Sequence, residues 1–113
     1  MRFEEDLKGD VLVVKVIESR IAADVSENFK KALLQIISRG SRIVILDLSD
    51  VTFIDSLGLG GLIAGLKVVK EGGDLILCGA RDTVLSMFKL TRLNKIFTMF
   101  DTVDAAVASV AAR

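Results

Sequence analysis

Three short runs constrain this chain more than anything else in it: "DVLVVKVI" (Asp10 to Ile17), "RIVILDL" (Arg42 to Leu48) and "DLILCGA" (Asp74 to Ala80). The second is almost unbroken in its apolar character and is bounded by "RGS" and "SD". Such a run reads as a strand of a parallel sheet, covered on both faces. The first is rich in β-branched residues, and "RFEED" before it is placed to pair with it across a turn at Gly9. "KIFTMF" near the end reads as a further short strand.

Helical periodicity fills the gaps between these runs. Apolar residues at Val25, Phe29, Leu33, Ile36 and Ile37 predict an amphipathic helix, with Asp24 as its N-cap and Gly40 just past its end. A second helix is predicted from Ser56 to Lys70, stopping at Gly72 and Gly73. "RDTVLSMFKL" reads as a third, capped by Asp82, and "TVDAAVASVAA" as a fourth, capped by Asp101 or Thr102. In that last helix Val103, Val107 and Val110 form the side that packs on the sheet. Strands alternating with helices at this spacing imply an α/β layer of mostly parallel strands joined by right-handed crossovers, with the first pair as an antiparallel edge.

With 113 residues, 51% of them hydrophobic and no proline or low-complexity linker, the expectation is one domain over residues 1–113. Fifteen basic and fifteen acidic residues balance, and no block of like charge gives a reason to expect nucleic acid or an acidic membrane surface. Histidine is absent and Cys78 is the only cysteine. That removes the usual imidazole base, a His or Cys metal cage and an internal disulfide. No apolar run approaches the ~20 residues of a membrane-spanning helix, so the chain is read as soluble, cytoplasmic and without cofactor, with Cys78 as a small buried hydrophobe.

The stretch "DVTFIDSLGLGGL" (Asp50 to Leu62) sets one hydroxyl, Ser56, between an acid and a run of glycines where strand gives way to helix. A serine nucleophile needs a base and an oxyanion-stabilising group, and neither a histidine nor "GxSxG" is present. "GLGGLI" has Ile63 where a dinucleotide loop has its third glycine, and the "GK[ST]" of a P-loop is missing. Two readings of Ser56 stay open: the N-cap of the helix, or a hydroxyl modified at a helix start, where an added phosphate meets free amides. At 100° per residue Leu59, Leu62, Ile63, Leu66 and Val69 fall on the face that packs on the sheet. Leu57, Gly61, Ala64 and Val68 fall on a second strip, which either packs on the Val25–Ile37 helix or offers a docking groove to another protein.

The segment "DLSDVTFIDSLGLGGLIAGLKVVKEGGDLILCG" resembles the centre of STAS domains, specifically bacterial anti-sigma factor antagonists, and "KLTRLNKIF" resembles a late segment of the same family. The resemblance implies a single STAS-like domain whose mixed, mostly parallel sheet has about five strands, with helices mainly on one side. It implies a non-enzymatic module, monomeric or weakly dimeric, that binds an anti-sigma factor serine kinase and so frees a sigma factor. ATP-dependent phosphorylation of Ser56 then breaks the complex, and a serine phosphatase resets it. Asp55 is the acidic neighbour of the acceptor, and Gly58 and Gly60 shape the turn. With Leu57, Gly61, Ala64 and Val68 they make up the partner-binding set. Two positions depart from the family pattern. Leu57 stands where a second hydroxyl is usual. Ala22 stands where an aspartate contacts the kinase, so either Asp24 takes that role or the partner differs. Two alternatives are a scaffold subunit of a larger signalling assembly and an accessory domain for small-molecule or lipid transport.

Overall fold

Gly9 takes φ +66° in the two-residue turn between Lys8 and Val11, a mirror-type hairpin geometry that glycine adopts without a Cβ penalty. It joins β1 (Arg2–Lys8) to β2 (Val11–Ile17) in an antiparallel pair running from Arg2 opposite Ile17 to Lys8 opposite Val11. The computed structural model describes residues 1–69 and 71–112. After β2 the chain continues through β3 (Arg20–Ile21), α1 (Asp24–Ser38), β4 (Ile43–Asp47), β5 (Phe53–Ile54), α2 (Ser56–Val68), β6 (Asp74–Cys78) and α3 (Asp82–Leu90). A 3-10 turn (Leu93–Lys95), β7 (Thr98–Phe100) and α4 (Val103–Ala111) complete it.

The main sheet has five strands in the order β1-β2-β4-β6-β7, and every pairing after the first is parallel. This is the α/β class and the mixed sheet expected from the sequence. The expected strand "KIFTMF" is shortened at its start, because Lys95 belongs to the 3-10 turn. The predicted end of α2 at Lys70 falls outside the described residues.

Both faces of the sheet are covered, which is why its central strands read as unbroken apolar runs. On one face Leu12, Val14, Val44, Leu46, Leu75 and Leu77 meet Phe29 and Leu33 of α1, Leu62 of α2, and Val84 and Phe88 of α3. On the other, Val11, Val13, Ile43, Ile45 and Ile76 are covered by α4 through Ala106 and Val110, with Val103 and Val107 packed at the margin. Three helices thus lie on one side and one on the other. Each fully buried aliphatic or aromatic side chain contributes roughly 1.5–3 kcal/mol, so this double-sided core anchors the two short strands that build the site.

Candidate functional site at the start of α2

The two-residue strands β3 and β5 pair in parallel, Arg20 with Phe53 and Ile21 with Ile54. The backbone bonds continue on both sides: the Thr52 N–H donates to the Ser19 carbonyl at 2.7 Å and the Asp55 N–H to the Ile21 carbonyl at 3.0 Å. The Arg20 guanidinium lies 4.5 Å from the centre of the Phe53 ring, a cation–π contact on the outer surface. This small sheet delivers Asp55 in extended conformation, φ −95° and ψ 179°, at the mouth of α2.

Asp55, not Ser56, is the N-cap. Its Oδ1 accepts the Gly58 N–H at 2.8 Å, and its carbonyl accepts the first intrahelical bond, from Leu59, at 3.0 Å. Of two adjacent residues able to cap, the one still in extended conformation can turn its side chain back on the first turn. Ser56 is already helical, so its side chain projects outward.

The same carboxylate reaches across to α1. Its Oδ2 accepts the Ala23 N–H at 3.0 Å, and its Oδ1 also accepts the Ser26 hydroxyl at 2.8 Å. Among the described residues Ser26 is the one buried polar side chain, at 1% exposure. The expected cap of α1, Asp24, does not cap: Ala23 occupies that position with no side-chain bond, and Asp24 stands exposed in the first turn, where its charge favours the helix dipole instead. Asp82 is displaced in the same way, since Arg81 holds the N-cap position of α3, whereas Thr102 caps α4 as expected. Ala23 sits at φ 52° and ψ −126°, a region that residues with a Cβ rarely enter and that costs on the order of 1–3 kcal/mol. Partial burial pushes the Asp55 carboxyl up. The bonds from Gly58, Ala23, Ser26 and Leu57 together outweigh that and hold it below the usual carboxylate range.

Ser56 is exposed, and its hydroxyl makes no hydrogen bond to another described residue. It stands on the rim of a shallow groove of about 210 Å³ between the starts of α1 and α2, lined by Ser26, Glu27, Lys30, Leu57, Gly60 and Gly61. Among the described residues no group of three or more His, Cys, Asp or Glu is placed to hold a metal ion. Leu57 is 65% exposed and Val68 52%, large apolar side chains with little cover.

Over residues 3–106 the sequence matches the STAS domain family. The chain belongs to that family. A protein of Thermotoga neapolitana named as an anti-sigma factor antagonist is 33% identical over 87 residues, 75% of this STAS domain and 77% of that protein. The crystal structure of an anti-sigma factor antagonist from Thermotoga maritima superposes with a TM-score of 0.84 at 30% identity, covering 96% of this chain and 94% of that one. The unphosphorylated form of the antagonist SpoIIAA gives a TM-score of 0.74 over 99% of this chain and 98% of that one; at 21% identity this likeness is one of fold.

The partner-binding set expected for this STAS domain divides in two. Leu57, Gly60 and Val68 are exposed and Ala64 is half-buried, but Gly58 and Gly61 are buried. A Cβ on Gly58 would lie 2.7 Å from Ile54 Cγ1 and 3.1 Å from the Ile21 carbonyl oxygen, so this glycine seats α2 on β3 and β5. A Cβ on Gly61 would approach the Lys30 Cβ to 3.3 Å, and one on Gly65 the Leu33 Cδ2 to 2.9 Å. Gly61 and Gly65 therefore form the face on which α1 packs, with Gly58 one turn before them against β3 and β5, and the strip is helix contact at Gly61 and open surface at Leu57 and Val68. Gly65, Ser26, Glu27 and Lys30 were not among the expected site residues. The spacing of small residues at 58, 61 and 65 was the signal available for Gly65, because three and four residues apart share a helix face.

Proposed function

We propose that this STAS domain is an anti-sigma factor antagonist that works as a non-enzymatic binding module. Unmodified, it binds an anti-sigma factor with serine-kinase activity and so releases a sigma factor. Phosphorylation of Ser56 by that kinase ends the complex, and a serine phosphatase restores it. The reading rests chiefly on one observation: Ser56 is exposed, and without a hydrogen-bond partner among the described residues, on the rim of the α1–α2 groove beside the exposed Leu57. The names of the relatives supply the class of partner. A phosphoserine adds a charge of about −1.5 to −2 and three acceptor oxygens. Placed next to the Asp55 carboxylate, at the edge of a surface that must be desolvated on docking, a loss of about 3 kcal/mol weakens binding more than a hundredfold. Repulsion at the contact is sufficient, with no rearrangement of the domain.

The test is incubation with the cognate kinase and ATP, followed by intact-mass and peptide analysis. One phosphate is expected, on Ser56, and none on the Ser56→Ala variant. Ser56→Asp is expected to weaken the complex while Ser56→Ala stays bound; equal affinities would refute the switch. Leu57→Lys is expected to abolish binding with thermal stability nearly unchanged, since that side chain is open to solvent.

A further inference from the structure

Ser56 stands on one wall of the groove; the other wall, with Glu27 and Lys30, belongs to the first turns of α1. The contact through which a partner would meet both walls therefore depends on how the start of α1 is held. The chain enters α1 through Ala23, a non-glycine residue at φ 52°. Such a joint persists only where its surroundings over-determine it. Two side-chain bonds do so, both to one carboxylate from the other wall: the Ala23 N–H to Asp55 Oδ2 and the Ser26 hydroxyl to Asp55 Oδ1, with Gly58 sharing the latter oxygen. A residue adjacent to Ser56 in sequence thereby ties together two helix starts separated by more than thirty positions along the chain.

We propose that Asp55 is the positioning residue of the docking surface: its carboxylate clamps the strained Ala23 joint and the first turn of α1 to the first turn of α2, and so sets the separation of the groove walls on either side of Ser56. The role of the groove rests on the reading given under Proposed function, whereas the clamp itself is a property of the isolated domain. Asp55 acts through Ala23 and Ser26, and it is not the group phosphorylated.

The decisive substitution is Asp55→Asn. One amide oxygen can keep the bond to Gly58, as a good N-cap should, but an NH2 group then faces the Ala23 N–H, two donors with no acceptor between them. Because that variant perturbs a cap, Ser26→Ala serves as a second, gentler cut of one leg of the clamp. Circular dichroism first establishes the temperature at which both variants are fully folded. Amide exchange of the 15N-labelled domain is then followed by NMR, together with affinity for the cognate kinase and the kinetics of Ser56 phosphorylation.

In Asp55→Asn the Ala23 amide is expected to exchange at least tenfold faster while the sheet amides of Ile45 and Ile76 are unchanged. Binding is expected to weaken at least tenfold, with Ser26→Ala between that and the native protein. Phosphorylation should show a raised KM with kcat nearly unchanged, because the acceptor hydroxyl is untouched. Adding Ala23→Gly to Asp55→Asn, which lets the joint hold its conformation without a Cβ penalty, is expected to recover part of the lost affinity. Unchanged Ala23 exchange in Asp55→Asn would overturn the clamp. Accelerated exchange with native affinity and KM would overturn the positioning role. Should Ser56→Asp bind as tightly as the native chain in the same series, the docking reading is what fails, and the Ala23 exchange rate still decides the clamp.

Discussion

Replacing Gly58 and Gly60 one at a time by alanine places the same methyl group two residues apart on one helix, and the structure gives the two changes opposite signs. Alanine is favoured over glycine inside a helix by up to about 1 kcal/mol. At Gly60 nothing lies within 4 Å of the added Cβ, so most of that gain should be realised and Gly60→Ala should stabilise the domain by roughly 0.5–1 kcal/mol. At Gly58 the methyl would meet Ile54 Cγ1 at 2.7 Å, Ile21 Cγ2 at 2.9 Å and the Ile21 carbonyl oxygen at 3.1 Å. The side chains can shift, but the carbonyl belongs to the backbone of β3. Overpacking of this kind costs about 1–3 kcal/mol, which leaves a net loss of up to about 2 kcal/mol after a gain in propensity of about 1 kcal/mol. The two variants should therefore differ by about 2 kcal/mol, which separates their urea midpoints by about 1 M for an m-value of about 2 kcal/mol/M. Equilibrium unfolding followed by circular dichroism measures this directly. Coincident midpoints, or a Gly58→Ala variant more stable than the native protein, would refute the close seating of α2 on β3 and β5.

Two further outcomes follow from titratable groups. Asp55 has its pKa lowered from the ordinary 3.8, so the folded state favours its ionised form; the stability it contributes is complete above that ordinary value and is lost as pH falls through the lowered one. The gap in urea midpoint between the native chain and Asp55→Asn should accordingly be widest near neutral pH and narrow when measured at about pH 3, and a gap independent of pH would refute the hydrogen-bonded carboxylate. Burial pushes the Cys78 thiol up to about 12, with the charge of Asp47 adding to the shift. Its reaction with Ellman's reagent at about pH 8 should be limited by unfolding and become immediate in guanidinium, since the thiolate is the reactive form; rapid labelling of the folded domain would refute that burial.

The five-stranded sheet was legible because a strand covered on both faces writes an unbroken apolar run, and "RIVILDL" and "DLILCGA" are such runs. Strands β3 and β5 were not legible. Two residues carry no periodicity, and Arg20–Ile21 and Phe53–Ile54 become strands only through pairing across more than thirty positions. The start of α2 at Ser56 was read correctly, but the caps Asp24 and Asp82, and the capping reading of Ser56, each lie one residue too late, for a common reason. Residues that cap are also favoured in the first turn, Asp because its charge suits the dipole there, and composition does not separate the two positions. Ser56 had an equally able competitor directly before it in Asp55, whose extended backbone decides between them. The role of Asp55 toward Ala23 and Ser26 was beyond any local pattern, because it is a tertiary contact made by a residue whose local duty as a cap already accounts for its identity.

The four glycines of α2 make a last argument about what its surface is for. Each costs the helix up to about 1 kcal/mol relative to alanine. At Gly58, Gly61 and Gly65 that cost is offset, because neighbours occupy the space a side chain would need and the helices pack closely as a result. At Gly60 it is not offset by anything in the chain: the position is exposed, its φ is ordinary for a helix, and its surroundings are empty. A glycine of this kind weakens the isolated domain without a structural return, and it lies one turn from Ser56 in the lining of the groove. If a partner's backbone approaches α2 there, the absent side chain is what admits it. Gly60→Ala should then raise stability and lower affinity for the proposed kinase partner together, the latter by about tenfold, equivalent to about 1.4 kcal/mol. A folding defect cannot produce that pairing of signs, since it lowers both. Calorimetric titration of the kinase with the native and substituted domains decides the matter: undiminished affinity in a more stable Gly60→Ala variant would show that the bare face at Gly60 is not where the partner rests.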